Sequence, residues 1–133
     1  MATEPPFRED RRPPQQQSQL MQVSNEMVRL YKEQLGRGPT RAWTTFAGSD
    51  ALLCTLEDSM TPAERTLTSL GEHQRVRDTR LIFQHATEER FREAVERITG
   101  RTVRAFVSGT DVSEDVSSEL FYLFPQGKGA VAD

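Results

Sequence analysis

The sequence has few of the residues that most often build metal and redox centres. Its 133 residues include one cysteine and two histidines. A single cysteine excludes an intrachain disulfide. His73 and His85 lie twelve residues apart on one predicted helix. Two histidines that bind a metal from one helix are four residues apart. We therefore expect no metal site and no cofactor.

Long apolar runs and a basic surplus are also lacking. No run approaches the ~20 apolar residues that span a bilayer, and the N-terminus carries Pro, Arg and Gln where a signal peptide is apolar. Basic residues number 17 and acidic residues 20, giving a net charge of −3. Nucleic-acid binders usually show a basic excess. We expect a cytoplasmic protein without nucleic-acid binding or membrane insertion, peripheral to a membrane only through a partner.

Hydrophobic residues make up only 35% of the chain, and most of them lie in its middle. Residues 1–18 are rich in Pro, Gln and charge, which predicts a disordered tail. Residues 126–133 predict a second, flexible tail. The remaining residues 19–125 suit a single domain. Such a domain buries a core but lacks room for a deep, enclosed catalytic cavity with lids.

Three segments have helical periodicity. Residues 19–35 carry an apolar stripe that ends at Gly36. Residues 62–70 follow Thr61, which with Glu64 has the spacing of a capping box. Residues 73–99 form the longest segment. We expect the middle of this long helix, including Leu81 and Ile82, to be its most buried part, and Ala63, Leu67 and Leu70 to face inward from the helix before it.

Two pairs of short segments have the composition and alternation of strands. They cover residues 41–47, 51–57, 101–108 and 118–124. The predicted order is α-β-β-α-α-β-β. It indicates an α+β fold in which a four-stranded antiparallel sheet packs on a long helix. Both faces of the first hairpin are partly apolar, so the uncovered face of the sheet could contact a partner, and a homodimer is plausible.

Two further features have simple structural interpretations. Cys54 lies within a strand pattern, which favours a small buried side chain over a reactive thiol. Asp111, Ser113 and Asp115 alternate in a loop, but the glycine and distal glutamate of an EF-hand are missing. A solvated hairpin loop is the better interpretation, with a weak cation contact as the alternative. We predict no catalytic residues and no metal ligands.

Arginines on the long helix offer the one candidate binding site. Interleaved acids favour a salt-bridged solvent face. The alternative is an anion or partner site formed by Arg75, Arg77, Arg80 and Arg37, with Gly38 in the neighbouring turn. A guanidinium beside the free amides of a glycine turn suits a carboxylate or phosphate. The simpler role of Gly38 is to let the chain turn into the first strand.

Three stretches of the chain resemble one small bacterial family. They are EMVRLYKEQLGRGPTRAWTTF, LLCTLEDSMTPAERTL and VRDTRLIFQHATEERFREAVERITGRTVRAFVSGTDVSEDVSSELFYLF. The family is named for the MpsC component of a sodium-translocating membrane-potential-generating system. The resemblance covers about residues 19–125 and implies an accessory role in membrane energetics. It brings no established catalytic residues.

Two function hypotheses follow from these features. The first is a non-enzymatic, cytoplasmic accessory protein of the MpsC-like family, acting as a homodimer and through a membrane protein complex. The second is a small-ligand sensor that binds an anion through Arg37 and the helix arginines. An enzyme would require a cleft that holds a titratable residue with a shifted pKa.

Overall fold

The computed structural model describes residues 13–126 as seven elements in the predicted order. The helices are α1 (Pro14–Leu35), α2 (Pro62–Ser69) and α3 (His73–Thr99). The strands are β1 (Arg41–Phe46), β2 (Ala51–Glu57), β3 (Val103–Asp111) and β4 (Val116–Leu123). The α+β prediction is confirmed.

Helix α1 is longer than its apolar stripe. It begins at Pro14, so residues 14–18, predicted as part of a disordered tail, are helical. Proline at the first helical position has its φ already fixed, and the glutamines that follow are good helix formers. Residues 1–12 and 127–133 of the two predicted tails lie outside the described residues. The helix ends at Gly36, whose φ of 83° suits glycine and whose N–H bonds to the Lys32 carbonyl.

The four strands form one antiparallel sheet in the order β1-β2-β4-β3. The second hairpin therefore inserts β4 beside β2 and leaves β3 at an edge. Its loop is shorter than predicted, because β3 runs to Asp111 and β4 starts at Val116.

Helices α1 and α3 cover one face of this sheet, and α2 packs on α3. The strands contribute Leu52, Leu56, Phe121 and Leu123 to the core, which meet the following buried residues of the two long helices: Val23, Met27, Leu30, Tyr31, Phe83, Phe91 and Val95. In the described part of the chain, no helix packs on the other face.

Two predictions about the helices are wrong. Leu81 and Ile82 are 53% and 69% exposed. Of the α2 residues predicted to face inward, Ala63 is exposed and Leu70 is 69% exposed, while Leu67 is half-buried. The inward positions are taken by polar residues instead: Arg80 on α3 and Glu64 on α2 are both buried. A buried ion pair between the two helices fixes their rotation, so neighbouring leucines turn outward.

Candidate functional site

The covered face of the sheet is apolar at one end and polar at the other. Along β4 the inward side chains are Ser117, Glu119, Phe121 and Leu123. Opposite them on β3 the inward positions include Thr110 and Ser108. Ser117, Glu119, Ser108 and Thr110 are named here the polar end of the sheet. It lies under the first half of α3, where Arg80 enters.

Glu119 is fully buried at the centre of the polar end. The Tyr31 hydroxyl of α1 donates a hydrogen bond to its Oε2 atom. Burial raises the pKa of Glu119 to about 7, although the hydroxyls of Ser108 and Tyr31 and the Arg80 charge act in the opposite direction. Burial and the carboxyl of Glu119 likewise raise the pKa of Tyr31 well above its ordinary value. Near neutral pH the Glu119 carboxyl group can therefore gain or lose a proton, while Tyr31 keeps its own.

Arg80 is 1% exposed and ties three segments together. Its Nε and Nη2 atoms donate to both carboxylate oxygens of Glu64 at 2.8 and 2.9 Å. Nη2 also donates to the carbonyl and hydroxyl of Ser59 at 3.2 Å. Burial opposes the charge of Glu64, but the bonds from Arg80 and the Thr61 backbone outweigh it and lower the Glu64 pKa. The buried guanidinium is thus neutralised by one bidentate partner.

A cavity of about 180 Å³ opens between α3 and β3, beside the polar end. Its walls include Arg77, Arg80, Leu81 and Gln84 from α3 with Ser108 and Thr110 from β3. A second cavity of about 120 Å³ adjoins it and shares Leu81, Gln84 and Ser108. Glu119 lines neither cavity, so a molecule bound there meets Ser108 and not the buried carboxyl group.

The five residues predicted for the binding site separate in the fold. Arg77 and Arg80 line the same cavity, whereas Arg75 is exposed and pairs with Glu72. Arg37 lies on the other side of the Asp58–Met60 loop, where it donates to the Asp58 and Met60 carbonyls. Gly38 packs against α1, since a Cβ there would lie 3.4 Å from the Val28 carbonyl oxygen.

The structure also describes the surroundings of Cys54 and of the acidic loop. Cys54 is buried, and burial raises its thiol pKa to about 12. Asp115 accepts hydrogen bonds from the Ser59 and Met60 amides at 3.0 and 3.2 Å. Its carboxylate therefore holds a neighbouring loop. Among residues 13–126, no three His, Cys, Asp or Glu side chains group as metal ligands.

Glu119, Tyr31 and Ser108 were missing from the sequence-based site. One signal was available for Glu119: it shares the strand phase of Phe121 and Leu123, which is the inward phase. A carboxyl group in that phase predicts a buried polar site. Nothing local to Tyr31, 88 positions away in sequence, indicates that it is the partner.

The fold and site define an α+β domain with one helix-covered sheet face, one open face and a buried carboxyl group. Residues 15–124 match the family model described as Na+-translocating membrane potential-generating system (MpsC). The chain belongs to this family, as the sequence resemblance predicted. Membership indicates a component of such a membrane-associated system. Neither a curated protein nor a solved structure matches the chain.

A membrane-related family raises the question of spanning segments. None of the helices in the described range is both long and apolar enough to cross a bilayer.

Proposed function

We propose that this chain is a non-catalytic, cytoplasmic accessory component of a Na+-translocating membrane-potential-generating system, and that it acts as a homodimer. The single observation that carries the proposal is the open face of the sheet, defined here by the outward side chains of the four strands. A partner that packs on this face removes its apolar side chains from water. Binding of this kind requires no catalytic residues. The buried Cys54, with its raised pKa, offers no thiolate at neutral pH.

Three of the four strands place an apolar side chain in one cross-strand row of the open face. Thr45, Leu53, Leu120 and Val107 form one cross-strand row. Val107 is 55% exposed, and the neighbouring row adds Tyr122. Contiguous apolar surface of this kind is typical of protein contact sites.

The two edge strands of the open face differ in charge. Arg41 lies on edge strand β1 and Asp111 on edge strand β3, in the same cross-strand row. Trp43 and Gly109 occupy the corresponding edge positions of the next row. Within the chain Arg41 pairs with Glu57 at 3.0 Å, and Arg104 of β3 lies over the Tyr122 ring. The complementarity between the edges is therefore confined to the charges of Arg41 and Asp111 and the sizes of Trp43 and Gly109.

A second copy fits this pattern under a two-fold axis that runs parallel to the strands between β2 and β4. The axis brings β1 of one copy over β3 of the other. Arg41 then faces Asp111, Trp43 faces Gly109, and Leu53 faces Leu120, each twice. Isologous contacts of this type are the commonest in homo-oligomers, and packed sheets keep their strands within about 30°.

Sedimentation equilibrium of the full chain tests the homodimer. We expect a dimer for the native chain and a monomer for Leu53→Arg, which buries an unpaired arginine against Leu120 of the other copy at both of the equivalent contacts. The matched control is Ile82→Arg, on the exposed side of α3, which should stay dimeric. Circular dichroism should be unchanged in both. A native chain that stays monomeric over a 100-fold range of protein concentration contradicts the dimer.

Affinity purification from native-host membranes tests the accessory role. We expect the native chain to co-purify with membrane proteins after crosslinking. Recovery of the chain in the soluble fraction alone, without a crosslinked membrane partner, contradicts the role even if the dimer forms.

A further inference from the structure

We propose that the cavity between α3 and β3 binds a short-chain carboxylate. This site goes beyond the accessory role, because it adds a small-molecule ligand on the covered side of the sheet, away from the open face. The argument uses an unpartnered polar atom, local charge and the apolar part of the wall.

One buried polar atom in the wall, Nη1 of Arg80, lacks a partner within residues 13–126. The hydroxyl of Ser108 lines the same cavity and lies opposite the Glu119 carboxyl group on β4. An unsatisfied buried donor is costly, so native proteins rarely keep one without an acceptor for its hydrogen bond. A ligand with an acceptor oxygen at this point would satisfy Nη1 of Arg80 and could also accept from Ser108.

The charge of the cavity wall favours an anion. Arg80 is already neutralised by Glu64. Arg77 is exposed and donates to the neutral Gln74 side chain at 3.3 Å, and no acidic partner for it exists in the described chain. The acids beside the two cavities are engaged elsewhere, since Asp78 accepts from Gln74, Glu119 from Tyr31 and Glu88 from Arg92. One uncompensated positive charge therefore suits a monoanion.

Part of the wall is apolar. Leu81 lines both cavities and Phe106 lines the second, where the other lining side chains, among them His85 and Glu88, are polar. Together the cavities approach the lower end of the ~300–1,000 Å³ range typical of ligand pockets. A carboxylate head at Arg77 and Arg80 leaves a short aliphatic stem to contact Leu81 and Phe106. Phosphate has no apolar part to make these contacts.

Thermal unfolding of the full chain with sodium acetate, butyrate or hexanoate tests the site, against sodium chloride at equal ionic strength. A ligand that binds the native state raises Tm by mass action. We expect a saturable Tm increase that grows from acetate to butyrate. Arg77→Gln and Ser108→Ala should each weaken binding about tenfold, the loss of one charge-assisted or buried hydrogen bond. The control Arg75→Gln changes an exposed arginine on the same helix and should bind as the native chain does.

Three results would overturn the proposal. The first is an unchanged Tm with every carboxylate, which means that none of them binds to the native chain. The second is a Tm increase that persists fully in Arg77→Gln. The third is an increase with sodium phosphate and none with carboxylates, which assigns a different ligand class. None of these outcomes bears on the homodimer, because the cavity and the open face lie on opposite sides of the sheet.

Discussion

The Tyr31 hydroxyl on α1 donates a hydrogen bond to the carboxyl group of Glu119 at the centre of β4. Both side chains are at most 1% exposed. The bond joins the first helix to the last strand inside the core. It therefore couples the protonation of one carboxyl group to the packing of the whole domain.

Stability should fall as pH rises through the range in which Glu119 ionises. The unfolded chain ionises near pH 4.5, whereas the folded chain holds the proton until about pH 7. The neutral carboxyl group therefore favours folding fully below pH 4.5, and this contribution is lost by about pH 7. The difference amounts to about 3 kcal/mol.

Urea unfolding at pH 4.5 and pH 8 measures this contribution. Glu119→Gln keeps the shape and an acceptor for Tyr31 but never ionises. Relative to the native chain, we expect this variant to gain about 3 kcal/mol between the two pH values. Glu114→Gln, an exposed glutamate, is the control and should follow the native curve. A constant difference between Glu119→Gln and the native chain contradicts the raised pKa.

Removing Arg80 should be far more damaging than removing its neighbour Arg77. Arg80→Met leaves the Glu64 carboxylate buried without its bidentate partner, which costs about 3 kcal/mol or more. Arg77→Met changes an exposed side chain and should stay within about 0.5 kcal/mol. Chemical denaturation of both variants provides the comparison. Equal losses for the two variants would show that the Arg80 pair does not hold α2 to α3.

The capping box of α2 can be tested by one substitution. Thr61 accepts a hydrogen bond from the Glu64 amide, and the Glu64 side chain accepts one from the Thr61 amide. Thr61→Ala should cost about 1 kcal/mol of unfolding free energy. The matched control is Thr68→Ala near the end of the same helix, where the hydroxyl bonds only to the Arg65 carbonyl. A loss in Thr68→Ala as large as that in Thr61→Ala would contradict a specific capping role.

A charge swap tests the geometry of the proposed homodimer. Asp111→Arg places like charges opposite Arg41 of the second copy and should raise the dimer Kd about fivefold, as expected for a pair near the interface rim. Arg41→Asp should act similarly. The double variant restores opposite charges and should recover the native Kd in sedimentation experiments. Additive weakening in the double variant would rule out this two-fold arrangement.

Local sequence signals accounted for the secondary structure. The 3.6-residue stripe predicted most of α1, Gly36 predicted its end, and the Thr61–Glu64 spacing predicted the start of α2. Such signals depend on neighbours within about one turn of helix, or on alternation along one strand. They fail where a distant contact decides the outcome, as at Leu81 and Leu70, which are exposed.

The candidate site was only partly predictable for the same reason. The sequence singled out Arg77 and Arg80, which do line one cavity. It grouped them with Arg37 and Arg75, because position along a helix does not say which arginine turns inward. Arg80 turns inward because Glu64, on another helix, compensates its charge there.

By itself the sequence determined the order of elements and their approximate bounds, since these follow from local periodicity and caps. Only the tertiary structure decided the strand order β1-β2-β4-β3, the exposure of one sheet face and the burial of Glu119 against Tyr31. The physical reason is that periodicity separates two faces of an element without saying what covers either one. That choice depends on contacts between residues far apart in the chain. These contacts stabilise one arrangement only once the elements have packed together.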